Sequence, residues 1–311
     1  MNCSELLQGA LETHNGYPAR LTENQRAWYH GISKEFADRA DCTAGASLRF
    51  VTRETVFSVS YEVISYCRST NVIDVLEDGV HTCSVRLPDM QSNETVIIRR
   101  ETEGLAVVEL VLPNTCGMRI KELSAKDAVP APARPHKLLC IGDSILQGIH
   151  SYHPTSSLAN LLALELDAQL LNQSVGGAGF RPELLEPLSF EPDWIFVAMG
   201  INDVRAPEDD PVLPRLREWF EKLRTIYPKQ TIAAVTPIWN TRFPGEQGYA
   251  EKAEAIREWI REACEKWDIQ VLEGDAMVPH CRNFFNEDGL HPNDLGFQCY
   301  ARGVLRQLNW K

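Results

Sequence analysis

Apolar and polar positions alternate through the first part of the chain and give way to longer apolar runs after about residue 136. "SLRFVTRETVFSVSYEVI" (47–64) shows the alternation, with Val56, Val59, Tyr61 and Val63 among strand-favouring types. "NVIDVLEDGVHTCSVRL" (71–87) sets Asp78-Gly79 between two apolar runs, which predicts a hairpin. "ETVIIRR" and "GLAVVELVLP" add further short strands. Strands at this spacing predict an all-β sandwich or barrel over residues 1–127, although the stretch up to about Phe36 gives no clear pattern.

The segment "DAVPAPARPHK" is proline-rich and without periodicity, so 128–136 reads as a stiff linker. Beyond it, over 137–311, apolar runs at "KLLCI", "AQLLNQSV", "DWIFVAM", "TIAAVTPI" and "DIQVLEG" alternate with helical segments. "SSLANLLALELD" places serine caps ahead of a leucine-rich face. In "YAEKAEAIREWIREACEKW", Ala253, Ile256, Ile260, Ala263 and Trp267 share one face. Strand–helix repetition with near-continuous apolar strands predicts a parallel sheet covered on both sides. Sites in such sheets form at the carboxyl ends of the strands.

Composition narrows the class. With 311 residues, 44% hydrophobic and 24% charged, the chain is of the soluble globular type. No apolar run is long enough for a membrane span. The formal charge of −12 and the lack of a Lys/Arg run argue against a nucleic-acid partner. Nine scattered cysteines without a C-x-x-C pair read as reduced thiols. The opening residues lack a basic start and apolar core, so a cytoplasmic location is expected, or a secreted one if a leader has been removed.

Four motifs follow four strand patterns: Gly142-Asp143-Ser144, Asn172-Gln173-Ser174-Val175-Gly176-Gly177, Gly200-Ile201-Asn202-Asp203 and Asp288-Gly289-Leu290-His291-Pro292. Each alone has a bland reading as a turn, a cap or a bystander histidine. The first lacks the G-x-S-x-G elbow, since glycine returns only at Gly148. Together they supply the parts for acyl transfer. Ser144 is the candidate nucleophile, His291 its base, and Asp288, three residues earlier, the carboxylate that orients the imidazole. Candidate oxyanion donors are the Ser144 and Gly177 backbone N–H groups and the Asn202 side-chain amide.

In this order, "GDS", "NQSVGG", "GIND" and "DGLHP" resemble the SGNH (GDSL-type) hydrolases over residues 136 to 308. The signature letters fall on Ser144, Gly177, Asn202 and His291. Gly177 rather than Gly176 ends the N-x-S-x-x-G pattern, and Ile145 stands where the family name carries leucine. The resemblance implies a three-layer flavodoxin-like domain with no metal and no organic cofactor. A β-sandwich (jelly-roll-like) before such a domain is similar to two-domain carbohydrate esterases. The implied function is a serine esterase removing short acyl groups, acetyl first, from a saccharide. Alternatives are a lysophospholipase or thioesterase on the same site, and a silent carbohydrate-binding protein. The expected partner is a small acylated substrate, with a homo-oligomer possible.

Trp239 and Arg242, in "IWNTRFPGEQGY" with Asn240, Phe243 and Tyr249, are candidate substrate contacts; a structural tryptophan and a solvated arginine are the equal alternative. His150 and His153 have a spacing that suits a metal, but no carboxylate or cysteine completes a set, so they read as surface histidines. Asp143 reads as a loop organiser; Trp194, Met199 and Cys140 read as packing.

Overall fold

The computed structural model describes residues 3–68, 71–87, 94–207, 209–246 and 248–310. The predicted alternation becomes two antiparallel sheets. One runs in the order Leu7–Gln8, Ser47–Thr52, Ala106–Val111, Val72–Glu77, Val80–Arg86, and the other is Cys116–Leu123, Val56–Tyr66, Glu94–Arg99. Their inward residues, among them Phe50, Val59, Tyr61, Ile73, Leu110 and Met118, form one buried core. Asp78 and Gly79 both take positive φ (49° and 84°), the condition for a two-residue hairpin turn that matches strand twist.

The second half is a five-stranded parallel sheet in the order Ala168–Asn172, His136–Gly142, Trp194–Ala198, Thr231–Val235, Gln270–Leu272. Its apolar runs are buried on both faces, with Leu138, Leu139, Cys140, Ile195 and Phe196 fully enclosed. This is the flavodoxin-like order, and the direction in which strands are added reverses beside the strand His136–Gly142. Seven helices are labelled in chain order: α1 Glu23–Ile32, α2 Lys34–Ala40, α3 Ser144–Gln147, α4 Leu158–Glu165, α5 Val212–Ile226, α6 Tyr249–Lys266 and α7 Asp294–Gln307. Two pairs, α4 with α7 and α5 with α6, cover the sheet. No helix among the described residues is long and apolar enough to cross a membrane. None of the nine cysteines forms a disulfide.

Two details differ from expectation. The unassigned opening stretch holds α1 and the start of α2, and Leu21 and Tyr29 from it, with Ala40 at the end of α2, belong to the core of the parallel-sheet half. Ser157 stands at the α4 N-cap, but its hydroxyl donates to the Pro154 carbonyl (2.8 Å) and accepts from the Asn160 side chain (3.1 Å), and it caps no backbone N–H of the helix. The proline-rich segment is docked on the first half. Val129–Pro130 pairs with Phe50 and Val51, while Arg134 bridges Glu109 and Asp167, at 2.7 Å each, across the two halves.

Candidate active site

Ser144 owes its position to the abrupt end of the strand His136–Gly142. A side chain at Gly142 would lie 2.3 Å from the Ala198 carbonyl oxygen, so only glycine fits between the strand ends. Asp143 then caps the short α3, its Oδ1 accepting from the Ile145 N–H at 2.9 Å. Gly148, at φ 85°, closes the turn. As the first helical residue, Ser144 has a backbone N–H with no intrahelical acceptor. Burial, with Asp203 nearby as a second negative charge, pushes the Asp143 carboxyl up to about 7 despite the Ile145 N–H.

The Asp288-Gly289-Leu290-His291 segment folds back on itself. Asp288 Oδ1 accepts from the N–H groups of Leu290 (2.9 Å) and His291 (3.1 Å), freeing Oδ2 for His291 Nδ1 at 2.5 Å. His291 Nε2 lies 2.7 Å from Ser144 Oγ. Both the serine and the histidine are buried, at 7% and 8% exposure. Burial alone would raise the Asp288 pKa, but the His291 hydrogen bond and charge and the two N–H donors outweigh it, holding the group well below the usual carboxylate range. The loop is braced from outside. Asn286 Nδ2 donates to the carbonyls of Pro292 (2.9 Å) and His150 (3.2 Å), and the Thr241 N–H donates to the Gly289 carbonyl (2.9 Å).

The glycine loop meets this pair from the other side. Gly177 has φ 86°, a conformation L side chains avoid. The Gly176 N–H donates to Gln147 Oε1 of α3 at 2.7 Å, tying the loop to the serine helix. Asn202 Nδ2 donates one hydrogen to the Ala178 carbonyl (2.9 Å), leaving its second N–H for another acceptor. Arg39 of α2 donates to the Gly176 carbonyl (3.1 Å), which belongs to the same peptide unit as the Gly177 N–H. A hydrogen bond at the carbonyl end polarises that unit and strengthens its N–H as a donor. Arg20 is fully buried. Its guanidinium donates to the carbonyls of Asn172 (2.8 Å) and Ser174 (2.7 Å) in the loop, and to those of Cys42 (2.7 Å) and Arg39 (2.8 Å).

Sequence reasoning missed Arg20, Arg39 and Gln147, which sit in no motif. It also misread two histidines, for which carboxylates distant in sequence complete the sets. His150 stacks on His291 with centroids 4.7 Å apart, and its Nε2 lies 3.5 Å from Asp288 Oδ2. Its φ of 73° is uncommon for a non-glycine residue and marks a constrained loop. His153 contacts the buried Asp74 at 3.0 Å. Trp239 stacks flat on His280 at 4.7 Å and meets Phe285 edge-on. Arg242 is half-buried in the adjoining turn, where its backbone N–H donates to Asn240 Oδ1 (3.1 Å). Trp194, Met199 and Cys140 are buried as packing residues.

No curated protein matches the chain in sequence. Among solved structures it is similar to the salicylyl-acyltransferase SsfX3 from a tetracycline biosynthetic pathway, with 20% identity, TM-score 0.77, and 97% of this chain and 93% of that one covered. It is also similar to a family two carbohydrate esterase from Cellvibrio japonicus (20%, TM-score 0.64, 85% and 88% covered). A third is a family two carbohydrate esterase from Clostridium thermocellum in complex with cellohexaose (16%, TM-score 0.66, 85% and 91% covered). At these identities the likeness is one of fold, and it extends across both halves. Residues 140–299, just over half of the chain and spanning all four motifs, match the model of the GDSL-like lipase/acylhydrolase family, and the chain belongs to that family.

Proposed function

We propose that the protein is a serine esterase that removes short acyl groups, acetyl in particular, from a saccharide, with Ser144, His291 and Asp288 as its triad. The observation that carries this reading is the continuous contact from Ser144 Oγ through His291 to Asp288, at 2.7 and 2.5 Å, at a strand's carboxyl end. His291 Nε2 takes the Ser144 proton as Oγ attacks the ester carbonyl. The oxyanion is held by the N–H groups of Ser144 and Gly177 and the Asn202 amide. Collapse releases the sugar hydroxyl, protonated by His291. A water, deprotonated by the same imidazole, then frees the acid from Ser144.

The short acyl group, like the saccharide, is proposed from the likeness in fold to carbohydrate esterases. Trp239 and Arg242 remain proposed substrate contacts. Ser144→Ala is expected to abolish aryl acetate hydrolysis while circular dichroism is unchanged; undiminished turnover overturns the triad. Comparing acetate with longer acyl esters on one leaving group tests the substrate class, and a preference for long chains would favour a lysophospholipase or thioesterase. Acetate release from a panel of acetylated saccharides then tests the sugar.

A further inference from the structure

Away from the triad, three potential metal ligands converge on the seam between the two halves of the molecule. Asp74 lies in the strand Val72–Glu77 and is fully buried. His81, on the paired strand Val80–Arg86, places Nε2 3.4 Å from Asp74 Oδ1. His153, in the loop that follows the serine helix, places Nδ1 3.0 Å from the same oxygen. All three ligand atoms lie within 4.8 Å of one another. The Ser84 hydroxyl is close to each of them, 2.7 Å from Asp74 Oδ1, 2.9 Å from His81 Nε2 and 3.2 Å from His153 Nδ1.

The charge balance calls for a cation. A buried carboxylate is normally paired with a cation or coordinates a metal. Among the described residues no Lys or Arg forms an ion pair with Asp74; its ion-pair partners are the two imidazoles. The second carboxylate oxygen, Oδ2, is held by the Thr155 N–H (3.0 Å) and Oγ1 (2.6 Å). Outer hydrogen bonds of this kind orient a ligating carboxylate. Metal–ligand bonds near 2.0–2.1 Å in a tetrahedron separate neighbouring ligands by about 3.3 Å. The two Asp74–imidazole separations bracket that value. Both histidines are partly exposed, with 43% and 31% of their side chains accessible, which gives an ion a route in.

We propose that Asp74 Oδ1, His81 Nε2 and His153 Nδ1 form a divalent transition-metal site of zinc type, completed by Ser84 Oγ or a water. Two imidazoles and one carboxylate suit Zn²⁺ better than Ca²⁺ or Mg²⁺, which favour all-oxygen sets. The site fastens the β-hairpin of the first half to the loop 149–157 of the second. That loop is also anchored beyond the triad histidine, where the Tyr152 N–H donates to Asp294 Oδ1 at 2.7 Å. The inference does not depend on the proposed esterase activity.

The test uses the full chain, stripped with chelator and titrated with Co²⁺ and then Zn²⁺. One equivalent of Co²⁺ is expected to give visible d–d absorption without a thiolate charge-transfer band, and Zn²⁺ is expected to raise the unfolding temperature. His81→Ala and His153→Ala should each weaken binding by at least about 10-fold. Thr155→Val, which keeps all three ligands and removes one outer hydrogen bond, should weaken it by about 10-fold. That variant also carries the test if a histidine variant fails to fold. A thiolate band, no bound equivalent, or binding unchanged in these variants overturns the site. Binding lost only in His150→Ala places the ion at the triad and overturns it equally.

Discussion

Arg39 touches neither Ser144 nor His291, yet its guanidinium reaches the carbonyl of the peptide that carries the Gly177 N–H. If that N–H holds the oxyanion, Arg39 acts through it as a positioning residue. Arg39→Met is expected to lower kcat by about 10-fold, equivalent to about 1.4 kcal/mol, with KM little changed. Arg39→Lys should recover part of the loss, and steady-state kinetics on one acetate ester reads both. A rise in KM alone would make Arg39 a substrate contact. The candidate site residues could be picked out in the sequence because each lies in a short motif at the end of an apolar run. Arg39 could not, since a lone arginine on an amphipathic helix reads as a solvated charge until the fold brings residue 176 beside it.

The short helix that begins at Ser144 carries an internal electrostatic cost. Asp143 caps it while buried, so the folded protein holds this proton up to about pH 7, whereas an unfolded aspartate loses it near 4. The native state therefore binds more protons than the unfolded state between those values, and the stability contribution of Asp143 falls as pH rises through that window. Asp143→Asn keeps a cap acceptor and removes the effect. Relative to the parent it should gain on the order of 2 kcal/mol between pH 5 and pH 8, measured by urea unfolding. Asp288 has the opposite sign: its depressed pKa contributes stability above about pH 4 that is lost on acidification. Elements were otherwise well foretold by period and turn chemistry, the Asp78-Gly79 hairpin being the clearest. Helix α1 escaped although "TENQ" is a capping-box pattern, with Thr22 and Gln25 bonded reciprocally. The signal was present and the β reading of its surroundings obscured it.

At the scale of the whole molecule, residues from the start of the chain brace the glycine loop of the candidate site. Arg20, near the start of the chain, hydrogen-bonds the carbonyls of residues 172 and 174 in the glycine loop. Arg20→Met leaves three buried carbonyls, those of Cys42, Asn172 and Ser174, without this donor, and each buried unsatisfied group costs about 1–3 kcal/mol. The variant should lose at least about 3 kcal/mol of stability by thermal or urea unfolding. Its turnover should fall as well, although it lies outside every catalytic motif. The alternation of apolar runs with helical segments foretold the parallel sheet, but the packing of the first forty residues against it could not be read from periodicity. Contacts across 150 positions leave no local pattern. The central claim is that Ser144 is acylated during turnover. Rapid acid quench of the enzyme reacting with an aryl acetate, followed by peptide mass mapping, tests it most directly. One acetyl group on the peptide containing Ser144, absent in His291→Ala, is the predicted result. Turnover with no acylated serine, or with the acyl group on another residue, would contradict it.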